Sequence, residues 1–143
     1  MPDILHDFPI AAPIDRVFGI LSSPEGLDAW WTKRAEGIPG VGNRYRLHFG
    51  SGYDWVGVMR RYEPATLLEW EITEADADWL NTRVGFRLAP VDGRTQVEFY
   101  HAGWAAPNDH YRISCYCWAM YLRILKRYIE QGEQVPYEDR LSV

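Results

Sequence analysis

Two side chains in this 143-residue sequence combine suitable chemistry with suitable placement, His101 and Tyr121. Imidazole titrates near neutral pH, so a histidine at the polar end of an apolar pocket can polarise or deprotonate a ligand. A tyrosine hydroxyl on the facing wall can donate to a ligand carbonyl or enolate. Both residues also suit plain structural roles, with His101 bonded to Tyr121 or to a backbone carbonyl and closing the core. Near Tyr121 stand Ser114 and Cys117, but Ser114 has no Gly-X-Ser-X-Gly surround, and Cys117 has no electropositive neighbour in sequence to make it a thiolate. His6, His48, His101 and His110 show no metal-ligand spacing, and the acidic loop Glu74, Asp76, Asp78 lacks the glycine and distal Glu of a calcium loop. That loop reads as a solvated surface. Gly40 and Gly42 precede a strand and lack a third glycine, which excludes a dinucleotide fingerprint. No metal and no cofactor are implied.

The element that must position these groups is a long helix from Asn108, its N-cap, to Gly132 at the C′ position. At about 100° per residue, Ser114, Cys117, Trp118, Tyr121, Leu125 and Tyr128 share one side, and Arg112, Arg123, Lys126 and Glu130 the other. A face built only to fill a core would avoid hydroxyls and a thiol, which need partners when buried. This one reads as the wall of a cavity. Cys115 and Cys117 diverge by about 160° around the helix, which argues against a mutual disulfide.

The facing wall follows from a hairpin. Asp92-Gly93 suits a two-residue turn, which sets the register of the strands Asn81 to Ala89 and Arg94 to His101. Leu88 then faces Val97, Phe86 faces Phe99, and Val84 faces His101. The other side pairs Arg87 with Glu98 and lays Tyr100 over Gly85. With Trp70, the row Val84, Phe86, Phe99 and His101 should look across at Ser114, Cys117, Trp118 and Tyr121 and line a ligand site.

Elsewhere, a strand Ile4 to Ile10 leads into a helix with the stripe Ile14, Val17, Phe18, Leu21. Ser23-Pro24 starts a second short helix reaching Trp30. Three further strands run from Arg44 to Phe49, Tyr53 to Tyr62 and Leu67 to Thr73. Tyr45, Leu47, Leu68, Trp70 and Ile72 point inward. Tyr53 to Tyr62 is apolar on both faces, and Val56 and Val58 are taken as the inward pair. The tail from Glu133 to Val143 has no periodicity.

A net charge of −5 and no basic run of five or more exclude a generic nucleic-acid partner. No apolar run approaches membrane-spanning length, and MPDILHDF lacks a signal-peptide layout, so a cytoplasmic, membrane-free protein is expected. The size suits one domain, 1–143.

This order gives an α+β, helix-grip fold: a curved six-stranded antiparallel sheet wrapped around a long C-terminal helix, with two short helices after the first strand. Ile10-Ala11-Ala12-Pro13, Pro24-Glu25, Trp30-Trp31, Val41-Gly42-Asn43, Leu68-Glu69-Trp70 and His101-Ala102-Gly103-Trp104, in that order, add a family resemblance. The chain resembles START-like (SRPBCC) domains of the heat-shock-protein-90 ATPase activator homologue group over essentially its whole length. The resemblance implies a cavity for a small hydrophobic or aromatic molecule. In some members of the wider superfamily it hosts cyclisation or dehydration, for which His101 and Tyr121 would be the acid/base pair. A chaperone partner transfers poorly, because the eukaryotic activator carries a domain with no counterpart here. Polar groups in the predicted cavity are few, which favours binding over catalysis. The tail after Gly132 could dock on a second copy, so a homodimer is open.

Overall fold

The computed structural model describes residues 2–143. Strand β1 (Ile4–Ile10) is followed by helices α1 (Ile14–Ser22) and α2 (Pro24–Asp28). Six strands come next, β2 (Arg34–Glu36), β3 (Arg44–His48), β4 (Asp54–Glu63), β5 (Leu67–Glu74), β6 (Arg83–Val91) and β7 (Arg94–Ala102). Helix α3 (Asp109–Gln131) and a short 3-10 turn (Tyr137–Ser142) complete the chain. The sheet is antiparallel throughout, in the order β1-β7-β6-β5-β4-β3-β2, and α3 lies across its inner face. Seven strands stand where six are expected. The additional one, β2, is three residues long, too short to show an alternation, and pairs Ala35 with Leu47 on the edge. Among the described residues no helix is long and apolar enough to cross a membrane.

The local signals behave as their chemistry requires. Ser23 Oγ accepts from the Gly26 amide at 3.0 Å, and Asn108 Oδ1 from the Tyr111 amide at 3.0 Å. Gly132 ends α3 at φ 70°, the left-handed conformation that glycine adopts without strain. Asp92 and Gly93 both have positive φ, and the pairs Leu88 with Val97, Phe86 with Phe99, Val84 with His101 and Arg87 with Glu98 are present. On the outer face Tyr100 lies so close over Gly85 that a Cβ there would sit 2.3 Å from its hydroxyl, which donates to Glu69 at 2.7 Å.

Strand β4 reverses the expected orientation. Met59 pairs with Trp70 and Gly57 with Ile72, so Trp55, Gly57 and Met59 face the core, while Val56 and Val58 take the outer face beside Glu74 and Glu71. Register shifts against β5 flank the run Gly57 to Met59 on both sides, and Gly57 leaves room for Trp70, whose Cβ would lie 3.3 Å from a Cβ at that position. With both faces apolar in sequence, alternation had nothing to discriminate.

The tail is built into the fold. Arg140, 5% exposed, donates to the carbonyls of Asp28 at 2.6 Å and Thr32 at 3.2 Å, and Tyr137 donates to the Phe49 carbonyl at 2.7 Å. Lys126 and Glu130, read as outer-face residues, tie α3 to the end of β1. The lysine donates to the Pro9 carbonyl at 2.6 Å and the carboxylate accepts from the Ala11 amide at 2.7 Å.

Candidate functional site

Helix α3 crosses the sheet so that its first three turns stand over the end where β3, β4 and the β5–β6 connection meet. A pocket of about 200 Å³ opens there. Its walls are aromatic: Trp31 after α2, Phe49 and Trp55 around the β3–β4 turn, Trp79 from the β5–β6 connection, and Trp118 of α3. Trp79 and Trp118 are stacked with centroids 5.7 Å apart, and Trp31 leans on Trp118 at 5.2 Å. Offset and edge-on packing of this kind holds large rings rigidly.

The polar lining comes mostly from one helical face. His110, Ser114, Cys117 and Tyr121 follow one another at the i, i+4, i+7, i+11 spacing of α3, and Tyr137 of the tail joins them. Ser114 Oγ accepts from Trp79 Nε1 at 3.3 Å. The Tyr121 hydroxyl has no protein hydrogen-bond partner among the described residues, and burial pushes it up to about 12, so it stays a neutral donor. Burial also raises the Cys117 thiol, which is protonated at neutral pH and a poor nucleophile.

Ser114, Cys117, Trp118 and Tyr121 thus line the pocket. Trp70, Val84, Phe86 and Phe99 do not. They are fully buried behind Trp118, with Phe99 4.6 Å from its ring. His101 is also fully buried and outside the lining. Its partners are neither Tyr121 nor a backbone carbonyl: Trp118 Nε1 donates to Nδ1 at 3.0 Å, and Nε2 lies 2.8 Å from Thr82 Oγ1. An indole nitrogen can only donate, so Nδ1 accepts and Nε2 carries the proton. Thr82 then accepts that proton and donates its own to the Trp79 carbonyl at 2.5 Å. Burial holds His101 down to about 3, so the ring is neutral and every polar atom on it is engaged.

Seven lining residues stand outside the sequence-based site, Trp31, Phe49, Trp55, Trp79, His110, Ile113 and Tyr137, and three of them are instructive. Trp79 sits in a connection between strands, and Tyr137 in a tail without periodicity; neither place carries a pattern. His110 did carry one, since it lies one helical turn before Ser114 on the same face.

A larger depression, about 540 Å³, lies on the outer sheet face among Arg61, Glu69, Arg83, Arg87, Glu98 and Tyr100. Its charges face one another, with Arg61 4.0 Å from Glu69, and only Leu5 and Ala102 among its lining residues are aliphatic. The aromatic pocket is the better-formed site.

The sequence of the family described as activator of Hsp90 ATPase homolog 1-like protein matches residues 11–130. The chain belongs to this family. As a family member it shares its fold with the Aha1 dimer from Colwellia psychrerythraea, solved in solution. The two are 27% identical over 93% of this chain and 99% of that one, with a TM-score of 0.84. Protein MLL2253 from Mesorhizobium loti superposes with a TM-score of 0.81 at 18% identity, over 92% of this chain and 99% of that chain. CalU16 from Micromonospora echinospora does so at 0.74 and 22%, over 96% and 83%. At those two identities the likeness concerns the fold alone. No curated protein matches the chain. The activator-homologue resemblance of the sequence is therefore correct, and the helix-grip architecture is that of its family members.

Proposed function

We propose that this family member binds a small hydrophobic or aromatic molecule in the pocket between the sheet and the first half of α3. One observation carries the reading. Five aromatic side chains wall about 200 Å³ that Tyr121 also lines, and its hydroxyl has no protein hydrogen-bond partner among the described residues. A fully packed core would have engaged that hydroxyl, whereas a binding site keeps a donor ready to orient its ligand. An engineered cavity of about 150 Å³ holds benzene, so this pocket suits one ring or a fused pair. Catalysis by His101 with Tyr121 has less support, because His101 has no free nitrogen and does not line the space.

Titrating the protein with a panel of aromatic and fatty acids while following tryptophan fluorescence tests this, since four lining residues are indoles. A saturable change is expected for the smaller aromatic acids. A panel that leaves emission unchanged, with no protection of the pocket amides from exchange, would overturn the reading.

A second, independent element is assembly. The Colwellia protein is a dimer, and at 27% identity over nearly the whole chain we extend the homodimer to this one. Light scattering coupled to size exclusion should give twice the 16.6 kDa chain mass. A mass of one chain at working concentration would remove it.

A further inference from the structure

The histidine that lines the pocket, His110, differs from the buried His101 in having one nitrogen engaged and one without a protein partner among the described residues. His110 Nδ1 lies 3.1 Å from Asp78 Oδ2, and Asn108 Nδ2 donates to the other oxygen of the same carboxylate at 3.0 Å. The bonds from Asn108 and His110 hold the Asp78 carboxyl below the usual carboxylate range. It therefore only accepts, which places a ring proton on Nδ1 and, whenever the ring carries a single proton, makes Nε2 an acceptor. Asp78 stands outside the pocket lining and His110 within it. Trp104, edge-on at 5.7 Å, and Trp79, at 6.4 Å, hold the ring between them. One helical turn further on, Ser114 Oγ already accepts from Trp79, so its own proton is available as a donor. An acceptor and a donor thus stand one turn apart at the end of an aromatic slot.

The simplest group that meets both donates and accepts from one atom. An ether oxygen cannot donate, and neither can a carboxylate. A hydroxyl can, and on an aromatic ring it is also the shape that the indole walls admit. We propose that the ligand is a phenol whose O–H donates to Nε2 of His110 and whose oxygen accepts from Ser114 Oγ, with Asp78 setting the tautomer. This rests on the aromatic-binding reading above, and narrows it to one ligand class.

The test compares 4-methylphenol with its methyl ether, 4-methylanisole, by titration calorimetry at neutral pH. The ether carries a methyl group in place of the donated proton, and the Asp78→Asn and His110→Phe variants separate the lost donor from the added bulk. The phenol should bind about tenfold more tightly, the size of one well-placed hydrogen bond. In Asp78→Asn the amide donates to Nδ1, the ring proton moves to Nε2, and the phenol's advantage should disappear while the ether's affinity stays. Asp78 is on the surface, so the variant should fold. Nitrogen-detected NMR of the His110 ring reads the tautomer directly, and His110→Phe keeps the aromatic wall while removing the acceptor. If both compounds bind the wild type equally, the phenol assignment fails and aromatic binding stands. If neither binds, both readings fail. A preference that survives Asp78→Asn or His110→Phe removes the Asp78–His110 pair as its source.

Discussion

His101 and His110 flank the same indole, with centroids 4.5 and 6.4 Å from Trp79, yet they belong to different kinds of structure. His101 is fully buried, its two nitrogens close a chain of hydrogen bonds from Trp118 to Thr82 to the Trp79 carbonyl, and it supports the wall from behind. His110 is partly exposed, held through one nitrogen by a surface carboxylate, and its other nitrogen has no protein partner among the described residues. Residue type is the same in both. The difference is how many hydrogen bonds the protein itself completes, and that number separates the packing residue from the proposed binding one.

The contrast is sharpest in stability. His101→Ala would strand the Trp118 indole and the Thr82 hydroxyl and leave a cavity, so unfolding by urea should show a loss of about 3–5 kcal/mol. His110→Ala, on a partly exposed ring, should cost less than about 1 kcal/mol. Equal losses would erase the distinction.

Acid should act through the same residue. The folded chain keeps His101 unprotonated down to about 3, whereas the unfolded chain protonates it from about 6.5. Between those values the unfolded state binds the extra proton, so stability falls as pH drops, by up to about 1.4 kcal/mol per pH unit. The urea midpoint of the wild type should decline across this window more steeply than that of His101→Gln. A parallel decline would assign the effect to carboxylates elsewhere.

Ser114 belongs to both regions. Ser114→Ala would leave Trp79 Nε1 without its acceptor, and a loss of about 1–2 kcal/mol in thermal melts is expected. A shift in tryptophan emission should accompany it as the indole turns. Smallest of all is Tyr121→Phe. With no protein partner to lose, it should leave stability within about 0.5 kcal/mol of the wild type; a larger change would place its hydroxyl in the core.

Much of the scaffold was legible in sequence. Asp92-Gly93 alone determined which residues of β6 and β7 face one another, the order of elements gave the helix-grip fold, and the short motifs along that order carried the family resemblance. The gaps have physical causes. Strand β4 presents apolar side chains on both faces, so its orientation was decided by two register shifts and by the small size of Gly57, neither of which alternation can encode. Strand β2 is too short for a period. At the pocket, the inner face of α3 was readable from Ser114 to Tyr121, but its first turn was not followed back to His110, and Asp78 was taken for solvated surface. Asp78 is at the surface, and it also orients His110. Trp79 and Tyr137 reach the pocket from irregular segments, where side-chain direction follows from tertiary contacts alone.

The contact between Arg140 and Asp28 has a kinetic side. It joins residues 112 positions apart in the chain, and contacts between such distant segments form only after local structure has brought their ends together. Sheet and helix can assemble first, leaving the wall that Tyr137 supplies still open. That wall rests on the tail's own long-range bonds, Arg140 to Asp28 and Thr32 and Tyr137 to Phe49.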